Sequence, residues 1–227
     1  LPKSSVGLVS KAFAVYAKDL RLELRSRYAL NAILMFGVTT LVVVSFSLGQ
    51  AGLPSKLLAA LFWIIMFFSA MSGLAHVFIR EEESGTALVL KLRAEPDAIY
   101  WGKLIFNFTL LAIMTVIIAP LFFIFTDAPT GNIGAFVVVL MLGVIGLCGA
   151  TTIIAAIIAK VAVKGALFAV LSFPVLVVLL LLLVGASTKV FDGRPLADIM
   201  TEIQGLVAYC VVMITASVLL FKFVWLE

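Results

Sequence analysis

The side chains able to do chemistry are few in this sequence, and they do not converge. The single histidine, His76, has no cysteine, aspartate or second histidine at metal-ligand spacing. It reads as a structural residue near the inner end of an apolar segment, with a cofactor contact or an interface role as the alternative. Cys148 and Cys210 both sit in apolar windows, outside any disulfide framework, and read as buried small hydrophobes. No stretch has the form Gly, four residues, Gly-Lys-Ser/Thr, so this device for cradling nucleotide phosphates is absent. No catalytic residue, metal site or bound cofactor is expected. If the chain moves something actively, the energy must come from another polypeptide.

The densest charge lies in residues 80–103. Here Arg80, Glu81, Glu82 and Glu83 lead into Ser84, Gly85 and Thr86, then a leucine-bearing run with Lys91 and Arg93, then Glu95, Pro96 and Asp97. A short helix after Gly85 would carry Leu88, Leu90 and Leu92, and the acidic lead suits a helix N-terminus. Pro96 limits its length, because the residue before proline avoids the helical region. A short rigid helix between two membrane segments can act as a lever that a soluble partner grips. The other reading of the same residues is a solvated re-entry loop.

The elements around this stretch follow from composition. Of the 227 residues, 64% are hydrophobic and only 12% charged, against about 25% charged in a soluble domain. Windows free of Asp, Glu, Lys and Arg run over 28–55, 57–79, 104–126, 128–159, 165–188 and 203–221. A hydrocarbon core needs about 20 helical residues to cross, so each window holds one span or one span plus a short loop. Helices are expected because each satisfies its backbone polar groups internally. The spans are placed at about Ala29–Leu48, Lys56–Ile79, Gly102–Phe125, Ile133–Ala159, Gly165–Ser187 and Gly205–Val224. None of the windows has a charged residue in its middle, which argues against a proton-coupled transporter, an intramembrane protease or a charge-selective channel.

Charge distribution sets the orientation. The N-terminal arm, the 80–103 stretch, the 160–164 turn and the C-terminus carry 13 of the 16 Lys and Arg. Lys56, Lys189 and Arg194 lie on the other side. Basic loops accumulate in the cytoplasm, so both termini are expected there, in a bacterial inner membrane. Residues 5–28 read as an amphipathic helix with Phe13, Tyr16, Ala17, Leu20 and Leu24 at helical spacing and Lys11, Lys18, Arg21 and Arg25 on the rest of its surface. It would lie flat at the headgroups or touch a cytoplasmic partner as well. It does not read as a cleavable signal peptide. Gly143, Gly146 and Gly149 mark a close-packing face on the fourth span, and Pro174 should loosen the fifth. Residues Thr188–Gln204 read as the longest outer connection, interfacial in character, and Trp225 suits the inner interface belt. The domain division is thus 1–28, an interfacial helix, and 29–227, a six-helix domain with a cytoplasmic helix inside 81–99.

The pattern Glu83, Gly85, Thr86, Leu88, Leu90, Pro96, Gly102, Lys103 resembles the segment between the second and third spans of type-two ATP-binding-cassette (ABC) exporter permeases. Residues Lys18 to Asn31 are similar to the N-terminal segment of the CcmB family, the haem exporter protein B of cytochrome c maturation. Phe62-Trp63-Ile64-Ile65, and Phe78 with Glu81 and Glu82, fit the same family. The likeness covers nearly the whole chain and is sharpest over 18–103.

The resemblance implies an all-α membrane subunit, itself not an enzyme, of an exporter whose ATP is bound by a separate cytoplasmic ATPase, CcmA-like. Implied partners are a second copy of this chain, CcmC-like and CcmD-like membrane subunits and a CcmE-like haem chaperone, with the lipid bilayer around them and no nucleic acid. Haem would be a substrate, with His76 as a candidate contact. In this reading Glu82, Glu83, Gly85, Thr86, Leu90 and Arg93 form the ATPase-docking coupling helix. Lys18, Arg21, Glu23 and Arg25 form the elbow helix beside it. The expected work is haem export or release of the haem-loaded chaperone. The competing readings are a permease for a lipid-linked glycan, drug or peptide, and a non-transporting membrane scaffold.

Overall fold

The computed structural model describes residues 7–48, 53–74, 76–129, 131–159 and 164–226, with side chains described for all of these except 48, 76, 77, 164–169 and 226. The described residues form helices α1 (Leu8–Ser26), α2 (Tyr28–Leu48), α3 (Ser55–Leu74), α4 (His76–Glu83), α5 (Ala87–Arg93), α6 (Pro96–Thr126), α7 (Ile133–Ala159), α8 (Lys164–Phe191) and α9 (Leu196–Leu226), with no strand among them. Six segments are long and apolar enough to cross a membrane: α2, α3 with α4, α6, α7, α8 and α9. The chain is an all-α, multi-pass membrane protein.

Helix α7 is the hub. It packs against α8, α9, α6, α4 and α3, and small residues let those neighbours in. A methyl group on Gly143 would sit 2.2 Å from the Trp63 ring of α3, and one on Gly146 would sit 2.9 Å from Leu179 of α8. Lipid tails are as apolar as the helices, so association relies on such close approach and on interhelical hydrogen bonds. The bonds are present. Trp63 Nε1 donates to Ser187 Oγ (2.8 Å), Asn107 Nδ2 to Thr152 Oγ1 (2.8 Å) and Tyr209 Oη to the Val175 carbonyl (3.0 Å). Cys148 and Cys210 are both buried.

Several element boundaries differ from the sequence expectation, for one reason. The windows ended each span at its first charge, whereas a helix ends where its backbone turns. The third span begins at Pro96 rather than Gly102, because proline suits the first helical position. The second span's helical path reaches Glu83, where Gly85 at φ +68° makes the turn. The acidic lead therefore closes α4 instead of opening α5. The expected long connection at Thr188–Gln204 shrinks to a turn at 192–195 with Gly193 at φ +71°. Its charges are taken up by the helices, with Lys189 paired to Glu202 at 2.6 Å and donating to the Asp198 carbonyl. Trp225 lies buried against Phe78 and Phe221.

Candidate functional site

Among the described residues, buried charged side chains gather where α1, α4 and α6 meet. Helix α1 turns Ala12, Val15, Asp19 and Glu23 inward, a stripe at helical spacing that differs from the expected apolar face. Phe13 and Leu24 of that expected face are exposed. The inward stripe is small at its start, and α6 answers it with Gly102. A methyl on Gly102 would lie 2.7 Å from the Ala12 carbonyl oxygen and 2.7 Å from Val15 Cβ, so only glycine allows this approach.

The next residue, Lys103, is 1% exposed. Its ammonium lies 3.0 Å from Asp19 Oδ2 and 2.9 Å from Glu81 Oε1. Lys18 approaches the same two carboxylates, 3.2 Å from Asp19 Oδ1 and in direct contact with Glu81 Oε1. Two cations therefore face two anions, and the cluster is formally neutral. A buried charge is costly unless it is paired and hydrogen-bonded, and here every member is paired. Burial works against the charge on Lys18, yet the Asp19 and Glu81 carboxylates outweigh it and hold the ammonium above its usual range. The Phe78 ring, 5.4 Å from Lys103 Nζ, adds a cation–π contact.

This cluster reaches α5 through one residue. Thr86 occupies the N-cap position of α5, and its hydroxyl, with no bond into that helix, donates to Glu81 Oε2 at 2.7 Å. Its backbone N–H donates to the Glu81 carbonyl at 3.0 Å. Outside the cluster, Lys11 pairs with Glu95 at 2.8 Å beside the start of α6, and Lys222 of α9 pairs with Asp97 at 3.2 Å. Lys91 of α5 lies 5.6 Å from the Trp225 ring centroid. Helix α5 itself stays largely outside: Leu88, Val89 and Leu92 are exposed, Leu92 at 80%.

The sequence-derived residues are distributed as follows. Leu90 and Arg93 belong to α5, Thr86 holds its N-cap position, Gly85 makes the turn before it, and Glu82 and Glu83 end α4. Of the elbow residues, Lys18 joins the ion cluster, and Arg21 and Arg25 are exposed. Glu23 accepts a hydrogen bond from the Leu30 N–H at 2.9 Å, satisfying an orphan donor in the first turn of α2. The backbone of His76 opens α4, while its side chain lies outside the described residues. Asp19, Glu81 and Lys103 were missed as a site. A signal for Asp19 existed: it continues the Ala12–Val15 stripe at helical spacing, on a helix otherwise rich in cations.

With that geometry in view, two comparisons bear on the chain. A family model described as CcmB protein matches residues 10–224. No individual curated protein matches the chain.

Proposed function

Because this chain belongs to the CcmB family, permease subunits of the haem-exporting ABC transporter of cytochrome c maturation, we propose that a soluble, CcmA-like ATPase grips it at α5. The observation that carries the reading is the Thr86–Glu81 link. A helix with three exposed apolar side chains is tied through its N-cap residue to a buried ion cluster joining α1, α4 and α6. Force applied to α5 then reaches three helices together, two of them continuous with membrane spans. Leu88 and Leu92 form the docking face together with Glu82 and Glu83 at the end of α4, and the apolar pair supplies the buried anchor. The charges set partner choice and register more than affinity.

In this reading ATP is bound and hydrolysed by the partner, and both termini and α5 lie on the cytoplasmic side of a bacterial inner membrane. Two copies of the chain work with two ATPase subunits, alongside CcmC-like and CcmD-like membrane subunits. The strokes serve haem export or release of a haem-loaded, CcmE-like chaperone. The basic character of the α1 and α5 end supports this orientation.

The test uses L88D/L92D, two exposed positions whose change leaves the fold intact. The variant is expected to lose co-purification of the ATPase and to abolish holocytochrome c formation, while its melting behaviour in detergent stays that of the parent. An ATPase that still co-elutes, with unchanged turnover and holocytochrome yield, would overturn docking at α5.

A further inference from the structure

A cavity of about 570 Å³ lies among α1, α5 and the adjoining parts of α2, α3, α4 and α6. Its walls are of two kinds. Leu22, Val89 and Phe106 contribute apolar surface, and Phe106 belongs to a membrane-crossing helix. Arg80 and Arg93 also line it, and both are exposed. Among the described residues neither guanidinium has an ion-pair partner. The acids that share the cavity are committed elsewhere: Asp19 and Glu81 to the two lysines, Glu23 to the Leu30 N–H. Glu23 keeps its negative charge, so outside the neutral ion cluster two guanidinium groups stand against one buried carboxylate, and the balance is one positive charge carried by exposed arginines.

We propose that the cavity binds an anionic phospholipid, with its phosphate held by Arg80 and Arg93 and an acyl chain laid along Leu22, Val89 and Phe106. Guanidinium groups present forked donors that match phosphate oxygens. Basic side chains at the end of a membrane span also meet the negative surface of a bilayer. A free phosphate ion would leave the apolar wall uncovered, whereas a lipid covers both kinds of wall at once. Helix α5 then has two working faces, Leu88 and Leu92 outward and Val89 with Arg93 toward the lipid. The lipid would act as a removable wedge between the elbow helix and α5. The proposal does not depend on which protein, if any, docks on the outward face.

The experiment is native mass spectrometry of the full chain in detergent, titrated with dioleoyl phosphatidylglycerol or dioleoyl phosphatidylcholine. The parent is expected to retain roughly tenfold more of the anionic lipid. R80Q/R93Q should lose that preference, and R194Q, at the α8–α9 turn, should keep it. L22W, which fills the apolar wall without changing charge, should reduce uptake of both lipids. Equal retention of the two lipids by the parent overturns the proposal, as does an unchanged preference in R80Q/R93Q or unchanged uptake in L22W. Displacement by inorganic phosphate alone would assign the site to a free anion instead.

Discussion

At the end of the bundle that carries α1 and α5, charged side chains hold three helices together. Near the opposite end, aromatic rings join α3, α6, α7 and α8, and the one ion pair there, Lys189–Glu202 among the described residues, is partly exposed. Phe62 meets Phe122 at 5.1 Å and Phe136 at 5.7 Å, and Phe123 meets Phe136 at 5.1 Å and Phe191 at 5.9 Å. Edge-on rings tolerate small slides, because dispersion is non-directional and each contact is weak. The Lys103 cluster tolerates little. Its ammonium sits within 3.0 Å of two carboxylates on two other helices, and a shift of one turn would leave buried charge unpaired. One end of the molecule therefore packs by shape, while the other adds a buried ionic register to its own rings, Phe78, Phe221 and Trp225, and that end is the one attached to the exposed helix.

The sharpest way to break this contrast is Lys103→Ala. It leaves Asp19 and Glu81 to share Lys18 alone, with one buried negative charge uncompensated, and a loss of about 3–5 kcal/mol is expected. Unfolding of the detergent-solubilised chain, followed by circular dichroism against increasing denaturant, reads it directly. The triple variant D19N/E81Q/K103M removes the three buried charges together, leaves the partly exposed Lys18 to water, and should recover most of that loss. If K103A alone is harmless, the cluster does not set register.

On the shape-packed side, Gly143→Ala places a methyl 2.2 Å from the Trp63 ring. Overpacking of this kind costs about 1–3 kcal/mol. Gly149→Ala, whose nearest neighbour would be Ile214 Cγ1 at 3.4 Å, should be close to neutral in the same assay. Equal effects at the two glycines would show that α7 is not packed by shape. The smallest effect is expected at Lys11, whose pairing with Glu95 is partly exposed. Lys11→Ala should cost less than about 1 kcal/mol, and raised salt should remove even that. A larger loss would mean that the outer rim of the ionic end matters as much as its buried centre.

Much of the architecture was legible in the chain itself. Six charge-free windows announced six crossings, and the fourth span, Ile133–Ala159, has the expected bounds. Pro96 and Gly85 bracket the short helix as their backbone preferences require. Boundaries read from charge were less faithful. Asp97, Asp198 and Glu202 sit inside helices because helical ends project charged side chains past the apolar core. Of the site, the exposed helix was legible and its anchor was not. Lys103 looked like the edge of a window, yet it is among the most buried side chains in the molecule.

Hydropathy and turn residues are local, so the sequence by itself determined the all-helical class, the six crossings and the short helix between the second and third. Which charges meet is a matter of distance between helices far apart along the chain. Asp19 and Lys103 belong to windows that share no local signal, and only the approach of α1 to Gly102 brings them within 3.0 Å. The tertiary structure alone decided that these charges lie inside, paired, and tied to the exposed helix through Thr86. In a low-dielectric interior an ion is tolerated only opposite its partner.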